Sequence, residues 1–373
     1  MKKVKLIDVC DVQYGYAFES SLFNEDKFGR QLIRIRDVLR GYSETYTNEK
    51  CSEEYVVNKG DLLVGMDGEF NIAQWKIDGA VLNQRVCKLT PHKGLHKRYL
   101  YYALIDILKK IEERTSFVTV KHLSAKEIKK IEFRLPSIEE QKEIADRLDK
   151  VVGLIEKRKE QLAKLDQLVK SRFIEMFANK DFPKTALIDL IVEGAGLSYG
   201  IVQPGDDGTG EMGVLRPVDI VECNISIAGI KYIDRSIGDG YKKTELTGDE
   251  LLITVRGTTG ITALTDARFV GMNVTRGIAV IRYDRRKINP IYLNAYLKTE
   301  DSQRYIQEHT RGATLQQINL SDLRMQDIVV PPMELQNEFA TFVEQVDKSK
   351  FEIQQSIDKL ETLKKSLMQQ YFG

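Results

Sequence analysis

LPSIEEQKEIADRL, residues 135–148, nearly recurs as VPPMELQNEFATFV, residues 330–343. The spacing between the copies is 195 residues, and it holds without a gap from residues 115–177 to residues 310–372, with 14 identities in 63 positions. Upstream the match is looser. Leu6-Ile7-Asp8-Val9 pairs with Leu187-Ile188-Asp189-Leu190, Arg34-Ile35-Arg36-Asp37-Val38 with Arg216-Pro217-Val218-Asp219-Ile220, Gly60-Asp61 with Gly248-Asp249, and Tyr99-Leu100 with Tyr292-Leu293, at offsets of 181, 182, 188 and 193. A fixed period of this kind marks a chain built from repeated units. Each half therefore has a front that tolerates insertions and a rear that keeps its register, and the two parts are expected to have different functions.

The rears read as long helices. Pro136 and Pro331 follow short apparent strands at residues 131–135 and 327–330, and a proline just inside a helix start is favoured because its missing N–H costs nothing there. Behind them, Val151, Ile155, Leu162, Leu165, Val169 and Met176 fall on alternating steps of three and four, with Arg158 and Arg172 completing the series. Val346, Ile353, Ile357, Leu360, Leu367 and Tyr371 repeat it, with Lys350 and Lys364 as imperfect positions. Each helix should be about 40 residues, or about 60 Å. One apolar stripe on so long a helix must be covered by another helix. Two such helices in one chain predict an intramolecular antiparallel coiled coil, with a pseudo-twofold relation between the halves. The expected fold class is mixed α/β (α+β), with two globular domains at residues 1–134 and 181–329 and long helices at 135–180 and 330–373.

The fronts read as mixed α/β. Gly60-Asp61-Leu62-Leu63-Val64 and Gly248-Asp249-Glu250-Leu251-Leu252-Ile253-Thr254-Val255 are Gly-Asp turns leading into β-rich runs. Residues 118–120 and 328–330 also look extended, and residues 99–110 and 290–298 look like short helices. At 373 residues, 42% of them hydrophobic, the chain is long enough for more than one core. Its longest apolar run, near residues 99–108, is broken by Asp106 and falls short of a membrane span, and Asp8 and Asp11 interrupt any signal-like N-terminus. A cytoplasmic address is expected. Cys10, Cys51, Cys87 and Cys223 lack metal-ligand spacing and read as reduced thiols; His92 and His96 sit in a Pro/Gly loop with no third ligand nearby, so no metal is expected.

The chemistry of an enzyme is missing. Asn289-Pro290-Ile291-Tyr292 approaches the Asn-Pro-Pro-Tyr loop of amino-methyltransferases. It is better read as an N-cap and N1 pair, because the first copy has Lys97-Arg98-Tyr99-Leu100 there and no glycine-rich turn suited to S-adenosylmethionine follows an apolar strand. No phosphate-cradling GxxxxGK[ST] loop is present either. Two stretches suit contact with DNA instead. Arg256-Gly257-Thr258-Thr259-Gly260, which aligns with Asp67-Gly68-Glu69-Phe70, offers a tight turn with Arg, Thr and exposed amides. Thr119-Val120-Lys121-His122-Leu123 aligns with Thr314-Leu315-Gln316-Gln317-Ile318, so a fixed frame changes its central pair from Lys-His to Gln-Gln. Gln can bond adenine bidentately and Lys can reach guanine or phosphate, which would suit modules reading different sequences; surface polar residues on a turn remain the alternative.

The chain resembles the specificity subunits of type I restriction-modification systems. The resemblance rests on LPSIEEQKEIADRLDKV and VPPMELQNEFATFVEQV, each leading into a heptad helix that ends SRFIEMF or SLMQQYF, and on the repeated P-x-x-x-x-Q-x-E pattern of Pro136, Gln141, Glu143 and Pro331, Gln336, Glu338. It implies two target recognition domains, each reading one half of a split asymmetric DNA sequence, and a coiled coil that sets the gap. It also implies docking of two methyltransferase subunits, which bind S-adenosylmethionine, and recruitment of a restriction/translocase subunit that uses ATP and Mg. The chain itself would be non-catalytic and hold no cofactor. Paired readers one helical turn apart lie roughly 34 Å from each other, a distance two helices of this length could set. The candidate DNA-binding residues are Arg34, Arg36, Lys121, His122, Arg216, Arg256, Thr258, Gln316 and Gln317. Packing and docking are expected of the two P-x-x-x-x-Q-x-E sets and of Val151, Ile155, Leu162, Leu165, Val346, Ile353, Ile357 and Leu360.

Charge fits a reader that works in a complex. Residues 1–134 hold 24 basic and 19 acidic side chains, a net of +5, whereas residues 181–329 hold 17 and 20, a net of −3. Bulk attraction for phosphate is then weak, and the isolated chain should bind DNA poorly. Two other readings compete: an adenine methyltransferase with built-in specificity, which must bind S-adenosylmethionine, and a coiled-coil scaffold with no sequence dependence.

Overall fold

The computed structural model describes residues 3–115, 121–178, 180–205, 210–221, 224–313 and 315–373. The expected extended backbone at residues 118–120, the Thr119, Val120 and Thr314 positions of the compared stretches, and the Cys223 thiol lie outside the described residues. The chain divides into two compact units, Met1–Glu160 with Gln354–Gly373, and Gln161–Ile353.

In the first unit, Lys3–Lys5 pairs antiparallel with Glu132–Arg134, which brings the two ends of the front module together just before the long helix. An antiparallel sheet follows in the order Cys10–Tyr14, Val86–Pro91, Leu62–Gly65, Ile72–Gln74. The helix Lys97–Arg114 covers it with Tyr99, Leu100, Ala103, Leu104, Leu108 and Ile111, one stripe at steps of three and four. This helix outruns the expected residues 99–110 because nothing caps it until Thr115, whose hydroxyl bonds to Ile111 O at 2.7 Å. A second sheet runs Phe23–Asn24, Tyr46–Thr47, Arg30–Ile33, Ala80–Leu82, Val56–Val57, and in it Arg30–Ile33 and Ala80–Leu82 are parallel. Cys10 and Cys87 are buried free thiols, and burial pushes both up to about 12; Cys51 is a half-buried free thiol.

The second unit repeats the plan. Lys184–Ala186 pairs with Asp327–Val329, and the main sheet runs Ser198–Tyr199, Ile278–Ile281, Leu251–Leu264, Gln316–Ile318, Thr310–Arg311. The smaller sheet runs Lys231–Ile233, Met212–Leu215, Asn273–Val274, again with one parallel pair, Met212–Leu215 and Asn273–Val274. Where the first unit has one long covering helix, this one has two, Pro290–Leu297 and Glu300–Glu308, split where Thr299 Oγ1 accepts from Ser302 N. Asn289 caps the first of them, accepting from Ile291 N at 2.9 Å, with Pro290 at the first helical position. That is the capping role read from the sequence.

The long helices are Ile138–Phe177 and Met333–Phe372, 40 residues each. Both prolines differ from the expectation: Pro136 and Pro331 lie before the helix starts rather than inside the first turn. Their carbonyls explain the placement, since each accepts from the side chain five residues on, Gln141 Nε2 at 2.9 Å and Gln336 Nε2 at 2.8 Å. Within each unit the helices pair antiparallel. Arg147 meets Tyr371 and Lys159 meets Glu361 in the first; Asp166 meets Lys350 at 2.7 Å and Arg172 meets Glu338 at 2.9 Å in the second. The stripe residues Val151, Ile155, Val346 and Ile357 are buried, and Leu162, Leu165, Ile353 and Leu360 are half-buried. The imperfect heptad position Lys350 is satisfied by Asp166 across the seam, so a charged residue is accommodated where an apolar one was expected.

A contact between the covering helix and the long helix of the first unit links stability to pH. Arg98 and Tyr102, on the covering helix, both bond to Asp149 on the long helix, Tyr102 Oη at 2.6 Å. Desolvation raises the Asp149 pKa, but the bonds from Arg98 and Tyr102 outweigh it and hold the carboxyl below its usual value. A depressed carboxylate stabilises above its unfolded pKa of about 3.9, and that stabilisation is lost as pH falls through the folded value. Asp149→Asn should therefore lower the urea midpoint at pH 7, and the gap to the parent should shrink at pH 3. A gap that is constant with pH would refute the ionic role.

Candidate nucleic-acid interface

Two stretches nominated separately from the sequence are neighbours in the structure, in both modules. In the first, the strands Leu62–Gly65 and Ile72–Gln74 form a hairpin whose tip carries Asp67 and Gly68. Asp67 bridges to His122, Gly68 N donates to Lys121 O at 3.0 Å, and Leu123 N donates to Met66 O at 2.7 Å. In the second, the run Leu251–Leu264 doubles back. Thr265 N reaches Glu250 O at 2.9 Å and Ile261 N reaches Thr254 Oγ1 at 3.0 Å, leaving Gly257 and Thr258 at the tip. Arg256 pairs with Gln317 and Gly257 with Gln316. The repeat offsets carry Asp67 to Arg256 (189) and His122 to Gln317 (195), so the same pair of positions meets twice.

A third segment joins each pair. Met66 N donates to Arg85 O at 2.9 Å, and the equivalent Val255 N donates to Gly277 O at 2.8 Å. The turns carrying these acceptors, Asn83-Gln84-Arg85-Val86 and Thr275-Arg276-Gly277-Ile278, put exposed Arg85 and Arg276 beside the hairpins. Neither arginine was among the sequence candidates. The signal was there: a basic polar turn between two apolar strands, repeated at an offset of 192. The segments of Arg34 and Arg216 also adjoin, since a Cβ on Gly65 would meet Ile35 and one on Gly277 would meet Pro217.

The candidates differ in what their side chains are engaged with. Arg216 folds back on Asp219 with Nη2 at 3.1 Å from Oδ1, and donates to Gly229 O at 2.8 Å. Lys121 pairs with Glu112 at 2.9 Å, and that bond, ahead of the opposing desolvation, holds the Glu112 carboxyl below its usual range. His122 Nδ1 bonds to Asp67, which also pairs with Arg85 at 3.1 Å. Arg36 donates to Thr45 Oγ1 at 3.3 Å. Arg34, Arg256, Gln316 and Gln317 have no side-chain partner among the described residues, and Thr258 is exposed at the hairpin tip. Such a face offers the unpaired Arg256, Gln316 and Gln317 in the second module, and in the first the unpaired Arg34 beside a charge-paired cluster.

The residues nominated for packing and docking separate in the same way. Gln141 and Gln336 are fully buried. Gln141 Oε1 accepts from His96 N at 2.8 Å, and Gln336 Oε1 accepts from Asn289 N at 2.8 Å. His96 and Asn289 are the N-caps of the covering helices, so each glutamine ties a long helix to the module before it. Glu143 and Glu338 are exposed, the first 3.8 Å from Arg147 and the second on Arg172. Among the described residues no group of three or more His, Cys, Asp or Glu could hold a metal ion, and no helix is long and apolar enough to cross a membrane.

Comparison with known proteins gives one consistent family. The profile described as type I restriction modification DNA specificity domain matches residues 1–167 and 222–364. The type I restriction enzyme EcoBI specificity subunit of Escherichia coli is 30% identical over 403 residues, which cover 99% of this chain and 85% of that protein. A putative type I restriction enzyme MjaX specificity subunit of Methanocaldococcus jannaschii is 24% identical, over 92% of this chain and 87% of that one. The crystal structure of a type I restriction-modification S subunit from M. genitalium superposes with a TM-score of 0.60 at 14% identity, covering 100% of this chain and 96% of that chain. A chain from another type I system gives 0.58 at 16% identity, covering 100% and 97%. At those identities the two structures establish likeness of fold.

Proposed function

The chain belongs to the family of type I restriction-modification DNA specificity subunits, and from that premise we propose that each module reads one half of a split, asymmetric DNA target with its paired hairpin tip and polar strand. Its role is DNA recognition within a restriction-modification system, and subunits of this kind are not themselves catalytic. The observation that carries the half-site reading is the coincidence of Asp67 with His122 and of Arg256 with Gln317 at equivalent positions. One backbone frame holds two different side-chain pairs, as two modules reading different sequences require.

The finer assembly is part of the same proposal. Two methyltransferase subunits carrying S-adenosylmethionine would dock on the long helices, whose exposed Leu154, Leu168, Ile174, Phe351 and Leu363 supply apolar contact. A translocating nuclease subunit would bring ATP and Mg. The helices would fix the gap between half-sites, which their 40-residue lengths allow.

The test is an exchange of residues 1–134 for the front of a relative, in the chain co-expressed with its methyltransferase, followed by base-resolved mapping of modified adenines. One half of the motif should change while the gap and the other half stay. A continuous palindrome, or a change in both halves, would overturn the reading.

A further inference from the structure

We propose that Arg256 and Gln317 form a two-residue base reader in the second module that takes a G·C pair and the A·T pair next to it, while Asp67 and His122 hold the same positions in the first module with a chemistry that refuses guanine. This rests on the reading that the hairpin faces meet DNA.

Arg256 and Gln317 are register partners on antiparallel strands, so their side chains leave the same face with Cβ atoms about 5 Å apart. Successive base pairs are about 3.4 Å apart along one strand. Two long side chains at that separation can address adjacent base pairs. The Arg fork matches O6 and N7 of guanine, and the Gln amide matches N6 and N7 of adenine. Both side chains are half-exposed and, among the described residues, have no partner to give up. Arg216 and Lys121, by contrast, would have to break bonds to Asp219 and Glu112 first. Gly257, the residue after Arg256, has φ +87 and open space where a Cβ would lie, so the backbone can approach a groove closely there.

The first module inverts this charge. Asp67 is held between His122 and Arg85, and only 17% of its side chain is exposed. A carboxylate offers acceptors only, and so does the major-groove edge of guanine, so the two repel each other.

The experiment uses the chain co-expressed with its methyltransferase, on DNA libraries randomised at each position of the target, with thermal unfolding to confirm that each variant is folded. Arg256→Ala should relax guanine preference at one position of one half-site by about 5- to 150-fold, with Arg256→Lys keeping part of it, leaving the other half-site intact. Gln317→Ala should relax the adjacent A·T position. Asp67→Asn should relax the discrimination against guanine at one position of the opposite half-site. Unchanged preferences with a split motif still methylated would overturn the proposal while leaving the half-site reading standing, and so would a loss spread evenly over all positions, which marks backbone contact. Failure of the half-site reading shows earlier, as a parent complex that yields no split motif.

Discussion

Replacing Gln336 by leucine is expected to destabilise the second unit by about 2–4 kcal/mol, because it orphans a buried carbonyl and a part-buried N–H at once. Gln336 is fully buried, and its amide spans the start of a long helix and the start of the covering helix, accepting from Asn289 N and donating to Pro331 O. Leucine fills the space but can do neither. The cost is that of leaving a buried C=O and a part-buried N–H without partners, which exceeds the net worth of the bonds themselves. Gln336→Glu separates the two roles. Its carboxylate still accepts from Asn289 N but faces the Pro331 carbonyl with a lone pair, so the protonated form is favoured and the variant's deficit should narrow as pH falls. Urea denaturation of both variants at pH 7 and pH 5 measures this. A leucine variant as stable as the parent would remove the glutamine from the joint.

That joint was the most legible part of the chain, and the reason is physical. Pro, Gln and the heptad apolar residues act over one or two helical turns, so their spacing appears directly in the sequence, and duplication at 195 residues raised it above chance. The purpose of the glutamine was not legible. Its partners His96 and Asn289 lie 45 and 47 residues away, and only the folded packing of the covering helix brings their N–H groups to it. The DNA face shows the same limit. The hairpin tips and the Lys-His and Gln-Gln pairs could each be picked out, but their meeting depends on strand register between residues 67 and 122 in one module and 256 and 317 in the other. Register is set by which face of each strand is buried. Arg216 shows the opposite failure, since its residue type suggested an open reader while Asp219, three residues on, holds it.

Truncating Phe177 to alanine should be the more damaging of two equivalent changes at the closing ends of the long helices. Phe177 and Phe372 occupy the same repeat position, and each meets the equivalent tyrosine of a covering helix: Phe177 with Tyr292 at 4.9 Å between ring centroids, and Phe372 with Tyr99 at 5.3 Å. Their surroundings differ. Phe177 is 6% exposed and also touches Phe173 and Phe339 at 5.0 and 5.6 Å, in a closed aromatic cluster. Phe372 is half-buried, with Tyr371 as its other ring neighbour at 6.4 Å. Phe177→Ala loses transfer free energy, leaves a cavity that three rings cannot fill by relaxing, and breaks edge-on ring contacts, which together cost about 3–5 kcal/mol. Phe372→Ala exposes less new surface and should cost about 1–2 kcal/mol. Hydrogen exchange should place the first loss in the second unit and the second in the first unit. Equal losses would mean that burial at these ends is governed by the repeat position and not by the local ring cluster. Because Phe177 shares its core with the strand that carries Arg256, its loss should also weaken recognition of one half-site before the other.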